Sequence, residues 1–182
     1  MGNRSARLFA AVAFTPREKK ELFAVSQLLR SKCDAGRFPA PELLHVTLHF
    51  FGQTDLGRLG AIEAAMRRTA GGVAPFFMAT GRAGTFGRGD AAVLWLGIGE
   101  GAEALRALQA RLEKALDEEG FPPEGRAFKA HVTLGRDVKM NCSAGEIELP
   151  AVRLNVSGIT LMESTQQGGK LEYVPLLAVP FR

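Results

Sequence analysis

Two of the three histidines in this 182-residue chain open the same four-letter run. His45-Val46-Thr47-Leu48 returns as His131-Val132-Thr133-Leu134, 86 residues further on. Imidazole is the side chain that gives and takes protons near neutral pH. On a strand, a threonine two residues along projects to the same side as the histidine. Each run therefore aims one proton carrier and one hydroxyl at a common point. Two imidazoles facing each other across a cleft can divide the work of hydrolysis. The neutral ring takes a proton from an attacking water, and the protonated ring gives one to a leaving oxygen. Two threonine hydroxyls can donate to the oxygens of a tetrahedral anion held between them. This set suits phosphodiester hydrolysis without a metal. It does not suit acyl transfer, because no serine or cysteine sits in a nucleophile-elbow motif. The residues alone leave open which histidine is the acid.

The flanks supply further candidates. On a regular strand His49 shares the face of His45 and Thr47, where it could touch a substrate. Lys129, two residues before His131, shares that face and is a candidate phosphate or substrate contact. Arg136 has the parity of Val132 and Leu134, which argues for a structural ion pair, with substrate contact as the alternative. Arg82 and Arg88 lie in a glycine-rich stretch where they could meet the phosphates of a substrate. Phe9 and Trp95 sit in apolar runs and read as core. His45 and His49 have a metal-ligand spacing that serves a helix, not a strand, and no third ligand is near, so no metal is expected.

The elements that must position these groups follow from periodicity. Leu8 to Phe14 reads as a buried strand. Thr15-Pro16-Arg17-Glu18 is a capping box with proline at the first helical position, and apolar spacing carries that helix to about Lys32. Gly36 to Pro41 reads as a connector. The first motif strand runs from Leu44 to Phe51, with Gly52 ending it. Asp55 caps a second helix through Met66, closed before Gly71. Pro75 to Thr80 is a strand, Gly81 to Asp90 a loop, and Ala91 to Ile98 the strand completing a hairpin. Leu105, Leu108, Leu112 and Leu116 mark a third helix, and Lys129 to Gly135 is the second motif strand. Ile147 to Leu149, Val152 to Met162 and Leu171 to Val179 read as strands. The offset of 86 also lays Leu94-Trp95 over Leu8-Phe9, so both halves read strand, helix, connector, motif strand. Such a duplication brings its two copies together about a pseudo-two-fold axis.

Composition fits a globular protein: 46% apolar and 23% charged residues, with a net charge of +4 that permits an anionic ligand. No apolar run reaches membrane-spanning length. The two cysteines, Cys33 and Cys142, stand in no metal or redox spacing and read as reduced thiols of a cytosolic protein.

Taken together, the chain resembles the two-histidine phosphoesterase superfamily, whose signature is a pair of His-x-Thr/Ser-x motifs in two similar lobes. Within it the similarity is to the RNA 2′,3′-cyclic phosphodiesterases, once named 2′-5′ RNA ligases. The similarity extends over Arg7 to Ala10, Glu42 to Gly52, Val93 to Gly97, Gly120 to Pro122, Phe128 to Arg136, Glu163-Ser164, Gly169 and Tyr173. The chain departs from the family pattern where His49 replaces a common lysine, Leu43 a common asparagine and Ala130 a common proline. The resemblance implies an α+β fold with two lobes of antiparallel sheet backed by helices, around a central cleft. It is expected as a single domain over residues 1–182, with repeat units of roughly 7–90 and 91–182. The resemblance further implies hydrolysis of RNA 2′,3′-cyclic phosphate ends to 2′-phosphate ends. His45 would be proton donor and His131 proton acceptor, with Thr47 and Thr133 holding the phosphate. No cofactor is implied. The partners would be RNA with cyclic phosphate ends, or small cyclic nucleotides, with no membrane. A monomer in the cytoplasm is expected. The alternatives are another two-histidine activity, such as opening small cyclic nucleotides or joining 2′-5′ ends, and a non-catalytic RNA-end binding module.

Overall fold

A computed structural model describes residues 4–87 and 92–182. Two antiparallel sheets face each other, and the motif strands lie where they meet. In chain order the elements begin with β1 (Ser5–Ala13), α1 (Pro16–Arg30), β2 (Cys33–Arg37) and β3 (His45–Asp55). They continue with α2 (Leu59–Ala70), β4 (Phe76–Phe86), β5 (Ala92–Ile98) and α3 (Ala102–Glu118). Last come β6 (His131–Met140), β7 (Arg153–Val156), β8 (Gly158–Gln167) and β9 (Lys170–Pro180). The first sheet has the order β3-β1-β8-β9 and the second β2-β6-β5-β4-β7. The fold is therefore α+β, as expected.

The two sheets are not built from the two halves of the chain separately. The C-terminal β8 and β9 complete the first sheet, while β2 and β4 from the first half belong to the second. Helix α1 lies against β2, whereas α2 and α3 pack on each other and on β3, β8 and β9. Units of 7–90 and 91–182 thus describe the sequence repeat, and the lobes interleave across it.

Local chemistry explains the elements. The Thr15 side chain accepts from the Glu18 N–H, and the Glu18 carboxylate accepts from the Thr15 N–H, closing the capping box of α1. Asp55 accepts from the Gly57 N–H, capping a short 3₁₀ turn over Leu56–Arg58 that leads into α2. β1 alternates cleanly. Ala6, Leu8, Ala10 and Val12 enter the main core, and Phe9 and Ala11 join Met162 in a small cluster on the opposite face. Residues such as Leu8, Leu22, Leu94 and Leu105 are fully buried, each contributing about 1.5–3 kcal/mol by leaving water. Among the described residues, no helix is long and apolar enough to cross a membrane.

The structure corrects several expected boundaries. Cys33–Arg37, read as helix end and connector, is a strand against β6. β3 continues past Gly52, which adopts φ 70 within the strand instead of ending it. β4 runs through Gly81 to Phe86, where a loop was expected. Ile147 to Leu149 forms no strand. The single strand expected over Val152 to Met162 is two, β7 and β8, in different sheets. The chain crosses from one lobe to the other at Ser157, and apolar alternation on both sides of it hides the break.

Candidate active site

β3 and β6 approach each other between the sheets. Two adjoining cavities of about 760 and 750 Å³ share Arg7, Thr47, Phe50, Thr133 and Arg136, so they are the two ends of one cleft. His131 lines one end and His45 the other. The four residues of the two motifs thus surround a common centre.

Each histidine is held the same way. His45 Nδ1 lies 2.7 Å from the Leu43 carbonyl, and His131 Nδ1 lies 2.6 Å from the Lys129 carbonyl. A carbonyl only accepts, so the neutral ring carries its proton on Nδ1 and leaves Nε2 as a base. His45 Nε2 sits 3.0 Å from the Thr47 hydroxyl. Aromatic rings wall both. Phe9 and Tyr173 lie 4.9 and 5.2 Å from His45, ring centre to ring centre. Phe86 and Trp95 lie 5.1 and 6.5 Å from His131. Phe9 is buried with Ala11 and Met162, as expected, and also lines the His45 end, whereas Trp95 is half-buried beside His131. Burial lowers the pKa of His45 from 6.5 to about 4, with the Leu43 carbonyl opposing and Lys19, His131 and Arg136 adding to the fall. Burial lowers His131 also, and Arg126, Arg136 and Lys129 push the same way against the Lys129 carbonyl. Both rings are thus kept neutral in the open cleft.

Two bulges decide which flanking residues reach the site. In β3, Ala11 pairs with Thr47 and Ala10 with His49, so Leu48 is an extra residue that reverses the parity. His49 consequently turns into the protein. It is 3% exposed, packs on Phe51 and lies 4.0 Å from Glu113 Oε1. The expected RNA contact at His49 is corrected, and Phe50 takes that place in the cleft. In β6, Trp95 pairs with Thr133 and Leu94 with Gly135, so Leu134 is the matching extra residue. Arg136 is thereby turned toward the cleft, contrary to its expected parity. The ion pair in this strand belongs instead to Asp137, which holds Arg37 of β2. These pairings also correct the repeat. Trp95 occupies the place of Ala11, an offset of 84, where the motif strands keep 86.

Lys129 is exposed and lines the His131 end, with its ammonium 5.2 Å from the Phe86 ring. Arg82 is an exposed residue of β4 and lines neither end. Arg88 lies outside the described residues. Sequence reading passed over Arg7, whose guanidinium stands over the Phe50 ring at 5.0 Å, and over Tyr173, Phe86 and Arg126. A signal for Arg7 was present: an arginine inside an otherwise apolar strand, on the parity of Phe9.

The family model of the 2′-5′ RNA ligase superfamily matches residues 12–168. The chain belongs to this superfamily, the two-histidine phosphoesterases. The RNA 2′,3′-cyclic phosphodiesterase of Methanothermobacter thermautotrophicus is 35% identical over 131 residues, which cover 71% of this chain and 70% of that one. The Aeropyrum pernix protein of the same name is 34% identical over 139 residues, 70% of this chain and 77% of that one. Among solved structures, TT0787 of Thermus thermophilus superposes with a TM-score of 0.76 at 26% identity, covering 97% of this chain and 98% of that one. Escherichia coli LigT complexed with 3′-AMP shares the fold at a TM-score of 0.78 and 24% identity, covering 98% and 99%. At the level of the family, the chain is a phosphodiesterase of the hydrolase class.

Proposed function

We propose that this protein hydrolyses RNA 2′,3′-cyclic phosphate ends to 2′-phosphate ends by acid–base catalysis between His45 and His131. The observation that carries the reading is the paired anchoring of the two rings. Each Nδ1–H is tied to a backbone carbonyl, which leaves each Nε2 free to exchange a proton. Thr47 and Thr133 line both ends of the cleft and offer hydroxyl donors to the phosphate at its centre. Arg136 and Arg7 lie beside them and offset the charge that develops on the phosphoryl oxygens.

His131 Nε2 takes a proton from a water, and the water oxygen forms a bond to phosphorus. The P–O3′ bond breaks opposite, and its oxygen takes the proton from His45 Nε2–H. The phosphate stays on O2′, and the two rings end with their protonation states exchanged. The assignment of donor and acceptor follows the family resemblance. The environment of His45 adds a condition to it. A ring held neutral by burial becomes an acid only when an anion lies beside it, and the cyclic phosphate supplies that anion. Substrate binding thus prepares its own proton donor.

The test is an oligoribonucleotide with a 2′,3′-cyclic end, assayed with and without a chelator. The expected product is the 2′-phosphate, formed equally in both. A 3′-phosphate product, turnover of small cyclic nucleotides only, or activity restored solely by a divalent ion would each overturn the reading. Binding of the RNA end without turnover would favour the non-catalytic module.

A further inference from the structure

The end of the cleft that holds His131 has room for more than an attacking water. It opens over about 760 Å³, including the centre shared with the His45 end, whereas a water occupies about 30 Å³ of liquid. Its wall is also sorted by charge and depth. Beyond the Arg7 and Arg136 shared with the other end, Arg126 and Lys129 are exposed cations, Arg126 lying 3.4 Å from the Glu124 carboxylate, while on α3 Gln109 is buried and Glu113 half-buried. Gln109 is 7% exposed and lines this end, and its carboxamide makes no hydrogen bond among the described residues. An amide that reaches the cleft without a protein partner is available to a ligand, with one acceptor and two donor hydrogens. Glu113 stands one helical turn further along the same face. Its Oε1 accepts the Glu124 backbone N–H at 3.3 Å and lies near a His49 ring that burial keeps neutral. That leaves the carboxylate with spare acceptor capacity.

A carboxylate beside an amide fits a planar edge with two adjacent N–H donors next to a carbonyl. Guanine has this edge: N1–H and the N2 amino group face a carboxylate, and O6 takes the amide N–H. Adenine offers a single amino group beside a bare ring nitrogen, and uracil and cytosine offer one donor each. Phe86 and Phe128 line the same end and supply rings for stacking a base. The exposed Arg126 and Lys129 suit a phosphate.

We propose that this end of the cleft binds a guanine nucleotide, with its base on Gln109 and Glu113 and its phosphate on Lys129 and Arg126. The bound nucleotide sits alongside the RNA end held at His45, a placement that rests on the catalytic reading above. Calorimetry with 5′-GMP, 5′-AMP and 5′-UMP on the intact protein tests the base. Binding of 5′-GMP is expected to be at least about tenfold tighter than either of the others. Gln109→Leu and Glu113→Gln are each expected to weaken 5′-GMP by about tenfold or more without changing 5′-AMP. Lys129→Gln, at an exposed position, should weaken 5′-GMP and leave guanosine unchanged. A 5′-phosphorylated oligonucleotide beginning with G separates two sources of the same chemistry. Tighter binding of the oligomer assigns the site to an RNA 5′ end, and tighter binding of 5′-GMP to a free nucleotide. In turnover of a cyclic-ended trinucleotide, 5′-GMP should lower kcat with little change in KM. No 5′-GMP binding, equal affinity for 5′-GMP and 5′-AMP, or purely competitive inhibition would overturn the proposal. Absence of turnover would instead refute the catalytic reading, and calorimetry would still decide the guanine site.

Discussion

Phe50 and Arg136 stand at the same place in the two motif strands, each five residues beyond its histidine and each turned into the cleft by a bulge after its threonine. Both line both ends of the cleft. The site is therefore symmetric as far as the threonines and asymmetric one step beyond, with an aromatic ring on one side and a cation on the other. A near-symmetric site gains a direction from that difference. The bulge makes it possible: without the extra Leu48 and Leu134, Phe50 and Arg136 would point into the core and His49 into the cleft.

Arg136 acts on both rings, lowering the pKa of each by its charge. Its replacement by alanine should cost about 10²- to 10³-fold in kcat, the scale of losing one donor to a developing oxyanion. Lysine should recover part of this, because it restores the charge and not the planar fork. The same alanine variant should move both limbs of the pH profile of kcat/KM to higher pH. A loss of rate without that shift would place Arg136 away from the imidazoles.

His45→Ala and His131→Ala should each lower kcat by about 10²- to 10⁴-fold, with thermal midpoints close to that of the intact protein. His49→Leu is the control. Among the described residues the buried His49 Nδ1 has no hydrogen-bond partner, so an apolar group of similar size removes an unpaired polar atom. Turnover by that variant should stay within about threefold, as for a substitution away from the chemistry. Equal losses at all three histidines would deny His45 and His131 a special role.

Stability should fall on acidification, and His45 sets the sign. Its pKa is about 4 in the folded chain, against an unfolded value near 6.5. Above 6.5 neither state is protonated, so there is no penalty. Between 6.5 and 4 the unfolded chain takes up a proton that the folded chain refuses. Stability is lost as pH falls through that window, by up to about 3 kcal/mol from this ring. His131 and His49, also lowered by burial, act in the same direction. Urea titrations at pH 7.5 and 4.5 should show the loss, and His45→Ala should reduce it. An intact protein equally stable at both values would mean that the rings are better solvated than their surroundings indicate.

The paired His-x-Thr tetrads were legible because they consist of residue types with few other reasons to recur in register. The helices were legible through Thr15, Pro16 and Glu18, and through leucines at helical spacing. The flanks were not. A bulge leaves no composition signal, and Leu48 and Leu134 look like any core leucine, so parity counted past them failed for both His49 and Arg136. The equivalents of His49 and Arg136 differ for local reasons as well. A side chain at Gly135, which matches His49, would meet Val138 at 2.8 Å and Phe38 at 3.2 Å. The glycines of β4 misled in the opposite sense, since Gly81 and Gly84 suggest a loop when read singly. Strand exchange between the lobes lies beyond local pattern, because Ser157 separates two runs that read as one.

Gly84 shows what one of those glycines is for. A Cβ there would lie 2.3 Å from Cζ2 of Trp95, so the indole lies flat over the glycine on the neighbouring strand. The same indole sits 5.2 Å from Phe86 and 6.5 Å from His131, ring centre to ring centre. Gly84→Ala must push Trp95 toward those rings or spread β4 from β5. The expected cost is about 1–3 kcal/mol of stability together with reduced turnover, since the wall beside His131, the proposed general base, moves. Trp95→Phe shortens the ring at the point of collision and forfeits no hydrogen bond among the described residues, where the buried Trp95 Nε1 has no partner. Adding Trp95→Phe to Gly84→Ala should therefore recover stability and part of kcat relative to Gly84→Ala alone. Denaturation midpoints and kcat for the single and double variants measure that coupling directly. Strictly additive losses would show that Gly84 acts through backbone conformation and not through the tryptophan above it.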